Sequence, residues 1–346
     1  MLLGLREFRA EHEPEVGGVV AGEADVAVGH ADQELQRAGY RVRGTVRSAS
    51  RASQIAETLP GVELVEAGLG SDTGWEAAVA GCRYVLHTAS PFPAGTPKHE
   101  DELVRPAVDG TLRVLRAAAA SGVERVVVTS SIAAVQVGNS GRLLTEADWS
   151  DVAVCDAYEK SKTLAERAAW DFAAEHPDIE VAVLNPGMII GPLLRAEAGT
   201  SVGGIRTILA GDMPGVPRLN FATVDVRDLA VAHRLALETP EAAGNRYICA
   251  GDEISFPEMA RILAGRYRVS TRALPDWLVR LSARFNTDAR TAVRFLGREE
   301  RLTAAKAERE LGWHMRPVAE SLLDTADSLI RLGLVDDPGA PRRAAA

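Results

Sequence analysis

The chain has 346 residues, 39 lysines and arginines against 48 aspartates and glutamates, and 46% hydrophobic residues, the balance of a folded globular protein rather than a disordered or membrane-spanning one. A formal charge of -9 argues against a nucleic-acid surface, which needs clustered positive charge, and no run approaches the ~20 apolar residues of a bilayer span. The opening MLLGLREFRAEHEPEV has an arginine at position 6 and lacks the apolar core of a signal peptide, so the protein reads as cytoplasmic. Cys82, Cys155 and Cys249 are odd in number and outside any C-x-x-C spacing; they read as small core hydrophobes, not as a disulfide framework or a zinc site.

In chain order, the first strand candidate is the short run Gly18-Val19-Val20-Ala21, followed by a glycine-bearing stretch over 22–32. From residue 40 onward, β-branched runs alternate with helix-length segments: YRVRGTV (40–46), GVELVEA (61–67), RYVLHTA (83–89), RVVVTSS (125–131) and EVAVLNP (180–186). Unbroken apolar runs of this kind mark strands buried on both faces, and the helices between them make the right-handed crossovers of a parallel sheet. The fold class is therefore α/β, a doubly wound parallel sheet. After about residue 190 the rhythm changes to helices joined by loops such as GDMPGVP (211–217) and ALPDW (273–277), with strand candidates near 221–226 and 245–250. This divides the chain into a sheet domain (1–190 plus 222–250), a smaller, mostly helical domain over the carboxyl edge of the sheet (191–221 plus 251–338), and a frayed Pro/Gly-rich tail at 339–346. No internal repeat is present.

The strongest chemical signal is Tyr158 followed by Lys162 in the helical pattern DAYEKSKTLAERAAWDFAAEH. Residues four apart stack on one helix face, so a phenol and an ammonium point into the same cleft. With five tyrosines and four lysines in the chain, such a pair arises by accident roughly one time in twenty, so context must decide. Upstream, RVVVTSSIAAV ends a strand in Thr129, Ser130 and Ser131, at the edge where such folds bind ligands. Downstream, another strand ends in Asn185, Pro186 and Gly187, with Met188, Ile189 and Ile190 ahead of Gly191 and Pro192.

With these motifs the chain, from about residue 34 to about 335, resembles the extended short-chain dehydrogenase/reductase family, and within it the dihydroflavonol-reductase-like and aldehyde/ketone-reductase-like branch of the epimerase/dehydratase superfamily. The segments that carry the resemblance are GCRYVLHTASPF (81–92), the TSS strand end, YEKSK (158–162), NPGMIIGP (185–192), VDVRDLAVAH (224–233), GNRYICAG (244–251) and KAERELGW (306–313). It implies a Rossmann fold and a nicotinamide-dependent oxidoreductase that reduces an aldehyde or ketone of a small hydrophobic substrate, as a monomer or homodimer.

The resemblance assigns catalysis to Ser131, Tyr158 and Lys162. A phenol with a pKa near 10 is a poor acid at neutral pH, and a neighbouring ammonium lowers that pKa. Tyr158 is then the proton donor to the carbonyl oxygen, Lys162 tunes it and binds the nicotinamide ribose, and Ser131 hydrogen-bonds the same oxygen; side chains alternate along a strand, so one of Ser130 and Ser131 faces the cleft. Cofactor contacts fall at Gly29, Arg47, Ser48, Leu69, Thr88, Ala89, Ser90, Tyr158, Lys162, Pro186, Gly187, Met188 and Ile189. Arg47, where an NAD enzyme carries an acid, favours NADP (NADPH) over NAD. Gly68 takes the place of the family's aspartate for the adenine amino group.

The departure from the family lies in residues 1–33. The expected glycine turn, with glycines three apart, lets backbone approach a pyrophosphate at a helix N-terminus; here Gly22 and Gly29 are separated by seven positions with Glu23 and Asp25 between them. Either the segment is divergent or it reflects a shifted reading frame, and the expected consequences are disorder over 1–16, at most a short strand at 18–21, no tight cradle over 22–32, and weak NADPH binding. The alternatives to a reductase are a nucleotide-sugar epimerase or dehydratase, for which Arg195, Arg206 and Arg218 offer charges for a diphosphate, and a cofactor-impaired, non-catalytic homologue. An apolar substrate pocket is expected between Phe92, Pro93, Val135, Met188 and a 193–221 loop. His87 and His233 read as core histidines, and Trp75, Trp149, Trp170, Trp277 and Trp313 as packing residues.

Overall fold

The computed structural model describes residues 16–21, 26–56, 58–90, 97, 99–196, 199–285 and 287–339. Its strands are β1 (Val16–Ala21), β2 (Arg41–Val46), β3 (Glu63–Glu66), β4 (Cys82–His87), β5 (Arg125–Thr129), β6 (Glu180–Pro186), β7 (Met188–Ile190), β8 (Val216–Pro217), β9 (Asn220–Asp225), β10 (Arg246–Cys249), β11 (Glu253–Ser255) and β12 (Ala273–Leu274). The helices are α1 (Val26–Arg37), α2 (Ala49–Ala56), α3 (Trp75–Val79), α4 (Asp101–Ala120), α5 (Ala157–Glu175), α6 (Thr200–Ala210), α7 (Val226–Glu238), α8 (Phe256–Ala264), α9 (Asp276–Ser282), α10 (Thr287–Val293), α11 (Ala305–Leu311) and α12 (Val318–Arg331).

Seven parallel strands form the main sheet in the order β10-β6-β5-β4-β1-β2-β3. The apolar runs are unbroken because both faces are covered and neighbouring residues serve opposite ones. Leu86, Val127, Ala182 and Leu184 pack with Ala31 and Leu35 of α1 and Leu229 and Ala232 of α7. Their neighbours Val85, Val126, Val128, Val181 and Val183 pack with Val114, Leu115 and Ala118 of α4 and Ala169 and Phe172 of α5. A third core gathers Ile205 of α6, Met259 of α8 and Leu322 and Leu329 of α12, beside a small sheet of order β11-β9-β7. Residues 304–313 pack elsewhere: Ala307, Leu311 and Trp313 are buried in the main sheet's core, with the Trp313 indole donating to Asp228 O at 2.7 Å.

The expected strands at 83–89 and 125–131 stop at His87 and Thr129. Beyond those residues the chain leaves the ladder, and apolar pattern alone does not register that exit. The N-terminal expectation needs a larger correction. β1 spans six residues, pairs with both β2 and β4 in the middle of the sheet, and is longer than 18–21. α1 begins at Val26, so 26–32 is helix rather than turn and residues 22–25 separate the two elements. Those four residues and 1–15 lie outside the described residues, as do 340–346 of the tail; Gly339 itself accepts a hydrogen bond from Arg268 N.

α1 carries a conflict between sequence and place. Asp32 is 1% exposed, and its Oδ1 has no hydrogen-bond partner among the described residues. Burial pushes the carboxyl up to about 8, with Arg195 pulling the other way. A carboxyl raised on folding contributes stability that is complete below its unfolded pKa and is lost as pH rises through the folded value. The protein should therefore lose stability between about pH 4 and pH 8 on account of Asp32. Asp32→Leu should raise the urea midpoint at pH 8 by an amount corresponding to a few kcal/mol and leave it nearly unchanged at pH 4; an unchanged midpoint at pH 8 would show that the carboxylate is compensated.

Candidate active site

Because the main sheet is parallel, every strand delivers its following residues to one edge. β2 delivers Arg47 and Ser48, β4 delivers Thr88, Ala89 and Ser90, β5 delivers Ser130 and Ser131, and β6 ends in Pro186 before Gly187. At the β2–β3–β4 end of that edge lies a cavity of about 180 Å³ lined by Arg47, Gly68, Leu69, Trp75, Ala89 and Ser90, among others. Among the described residues lining it, Arg47 alone is charged.

The wall of this cavity is a loop held from several sides. The Trp75 indole N–H donates to Gly68 O and Ser71 O, both at 3.1 Å. Gly74 turns the chain with φ +88, and a Cβ there would lie 2.0 Å from Glu66 O, so only glycine fits. Leu69 packs over Gly110 of α4, where a Cβ would come within 3.0 Å of it, and the Arg113 guanidinium donates to Leu69 O while pairing with Asp72. A Cβ at Gly68 would make only an ordinary 3.7 Å contact with Arg47 Cγ. A side chain at this position would therefore be accommodated.

Toward the middle of the edge, α5 starts where a capping box dictates. Asp156 Oδ1 accepts from Glu159 N at 2.9 Å, and Glu159 Oε2 accepts from Asp156 N at 2.8 Å. This places Tyr158 in the first turn and Lys162 one turn on, both half-buried on described helix. Arg298 pairs with Glu159, and Arg294 lies 3.4 Å from Asp156, tying the segment after α10 to the same turn. The two serines separate cleanly. Ser130 is buried and its hydroxyl donates to Glu166 Oε2. Ser131 is extended, caps the short 3-10 turn Ile132–Ala134, and accepts from Ala133 N at 3.1 Å.

Sequence reading passed over what lies beneath. Glu166 of α5 is buried; its Oε2 accepts from Asn185 Nδ2 at 2.7 Å as well as from Ser130, and its Oε1 is 2.7 Å from Arg246 Nε. Asn185 Nδ2 also donates to Ser131 O at 3.1 Å. Arg246 lies over the Trp149 ring at 3.9 Å and donates to Asp148 O at 2.9 Å; burial lowers its pKa, with Glu166 acting in the opposite sense. The available signal was a carboxylate one turn beyond Lys162 and an arginine opening a buried strand.

Other expected residues take varied places. Gly29 lies inside α1, not in a turn, and a Cβ there would meet Leu194 Cδ1 at 2.8 Å; its smallness serves helix packing. The Ser48 hydroxyl is 3.0 Å from that of Ser50 at the start of α2. Gly187 has no room for a side chain, because a Cβ would sit 2.3 Å from Ala222 O. Met188 and Ile189 belong to β7, pack against different cores and pair with β9. Val135 is buried, Phe92 and Pro93 lie outside the described residues, and the 193–221 loop contains α6 and β8.

Both histidines are core groups. His87 is buried with Nε2 3.2 Å from Thr111 Oγ1. His233 Nδ1 donates to Leu229 O at 2.8 Å, so its Nε2 accepts from Thr129 Oγ1 at 2.7 Å, and burial pulls its pKa down to about 4. Cys82 and Cys249 are buried, but Cys155 is only half-buried. Trp277, at 66% exposure, is not a packing residue. Arg218 is committed to Asp276 at 3.0 Å.

Against known proteins, a model of the NAD dependent epimerase/dehydratase family matches residues 27–250. The (2S)-flavan-3-ol-forming anthocyanidin reductase of Vitis vinifera is 32% identical over 257 residues, 67% of this chain and 75% of that protein. Cinnamoyl-CoA reductase 1 of Arabidopsis thaliana is 33% identical over 311 residues, 86% of this chain and 85% of that protein. Among solved structures, the yeast methylglyoxal/isovaleraldehyde reductase Gre2 complexed with NADPH superposes with a TM-score of 0.77 at 25% identity, covering 92% of this chain and 99% of the other.

Proposed function

The chain belongs to the NAD dependent epimerase/dehydratase family, in its extended short-chain dehydrogenase/reductase, dihydroflavonol-reductase-like branch, and from that premise we propose that it is an NADPH-dependent reductase of a hydrophobic aldehyde or ketone. The observation that carries this reading is that Ser131, Tyr158 and Lys162 share one sheet edge with a cavity whose charged lining residue is Arg47.

The residues present fit one end of such a cofactor. At about 180 Å³ the cavity is below the ~300–1,000 Å³ of a site that encloses a whole ligand, which suits an adenine flanked by Leu69, Ala89 and Ser90. Arg47 supplies the cation for a 2′-phosphate, and the lining offers no carboxylate that would repel one. Lys162 would hold the nicotinamide ribose at the other end, with Pro186 and Gly187 beside it. The sequence still carries Glu23 and Asp25 in the four residues that lead into α1, and two carboxylates near a pyrophosphate weaken binding.

When bound, the nicotinamide supplies hydride to a carbonyl carbon; the chain's own groups handle the oxygen. Tyr158 delivers its phenolic proton to that oxygen as negative charge develops there, and the Lys162 ammonium favours the resulting phenolate. The Ser131 hydroxyl donates to the same oxygen and positions it. Ser130, engaged by Glu166, is not available for this role. Against a sugar-nucleotide reading, Arg218 is held by Asp276 rather than presented to a diphosphate.

Tyr158→Phe should lower NADPH oxidation with an aryl aldehyde by roughly 10²-fold or more while leaving the melting temperature and NADPH affinity unchanged; undiminished turnover would end the assignment. Arg47→Ala should weaken NADPH binding about tenfold or more, the size of a charge-assisted contact, and leave NADH binding unaltered. An equal loss for both cofactors would make Arg47 a structural residue. Replacing Glu23 and Asp25 by glycine should tighten NADPH binding, as measured by fluorescence titration, and an unchanged affinity would remove those carboxylates from the account.

A further inference from the structure

We propose that Glu166 is the positioning residue of this site, holding the helix that carries Tyr158 and Lys162 in register with the strand end that carries Ser131. The inference rests on the reductase reading for its kinetic consequences, though its geometry is independent of that reading.

Tyr158, Lys162 and Glu166 occupy positions i, i+4 and i+8 of α5, one stripe of the helix. Glu166 is the member of that stripe fixed from below: its side chain has 0% exposure and engages residues on or just after three strands at once. Ser130 Oγ donates to Oε2 from the end of β5, Asn185 Nδ2 donates to Oε2 at 2.7 Å from β6, and Arg246 Nε of β10 lies 2.7 Å from Oε1. Trp170 Nε1, one turn further along α5, adds a 3.4 Å contact to Oε1.

The consequence reaches Ser131 by two short routes. Glu166 engages Ser130, and because the backbone at Ser131 is extended, the Ser131 side chain leaves on the side away from Glu166. Asn185, while donating to Glu166, also donates to the backbone carbonyl of Ser131 at 3.1 Å. One carboxylate therefore sets both the rotation of the helix that bears the proton donor and the orientation of the serine that must meet it at a common oxygen. A site of this kind loses rate steeply when its groups shift by an ångström or so. Arg246, 2.7 Å from the carboxylate, is itself held against Trp149 and Asp148 O.

The test is a double-mutant cycle of Glu166→Gln and Ser131→Ala, with Glu166→Asp as a shortened control. Glu166→Gln should lower kcat by roughly 10- to 100-fold with KM for NADPH within about threefold. Added to Ser131→Ala it should cost little more, because the two changes remove one alignment. Independent, multiplicative losses, or a lowered melting temperature with kcat unchanged, would overturn the proposal and leave Glu166 a stabilising residue only. Amide hydrogen exchange on the same variants separates this from the reductase reading itself. In Glu166→Gln, exchange should quicken together over 129–135 and 157–162 while the rest of the sheet stays protected. If the wild-type chain turned over no carbonyl substrate, that paired change would still support the positioning role; its absence would overturn the role whatever the activity.

Discussion

A single buried carboxylate organises the centre of this protein. Glu166 lies between α5 and the ends of β5, β6 and β10, with donors from Ser130 and Asn185 and the Arg246 guanidinium around it. A charge so placed is tolerated only when paired and hydrogen-bonded, and removing one partner of such a pair costs on the order of 3–5 kcal/mol. Ser130 is buried, Ser131 is half-buried and caps the 3-10 turn, and the capping box of Asp156 and Glu159 starts the helix where Tyr158 falls in its first turn.

The opposite face of the sheet shows a weaker agreement between local sequence and fold. β1 is central and α1 packs beneath it against α7, yet α1 buries Asp32 without a partner for its Oδ1 among the described residues and fills the space beside Leu194 and Leu59 at Gly29. Natural sequences usually have local choices that agree with the global fold. Here the disagreement at Gly29 and Asp32 falls at the very start of the family match, which begins at residue 27. The architecture absorbs the segment because β2 and β4 flank β1 on both sides and supply the ladder it needs.

Much of this was legible in the sequence, for identifiable reasons. The strands announced themselves because double burial demands unbroken apolar runs, and the Tyr158–Lys162 pair did so because helical spacing converts a four-residue separation into a shared face. Three things were not legible. The pairing of Glu166 with Arg246 joins residues 80 positions apart, beyond any local period. The burial of Ser130 against Glu166 is decided by what lies behind the strand, not by the strand itself. The extra turns of α1 were hidden because Gly29, read with the glycine turn, here serves close packing against Leu194, and α6 lies within the expected 193–221 loop with Gly204 where a Cβ would meet Phe256 at 2.5 Å.

An edge that reduces a carbonyl with hydride from NADPH must pass the cofactor's hydrogen to the product carbon. The most direct measurement is transfer of deuterium from 4-deuterated NADPH to an aryl aldehyde, read by mass spectrometry of the alcohol. With both C4 hydrogens of the cofactor replaced by deuterium, one deuterium on the former carbonyl carbon is predicted for each NADPH consumed. NADPH binding without labelled alcohol, or NADPH consumption with no deuterium in the product, would contradict it.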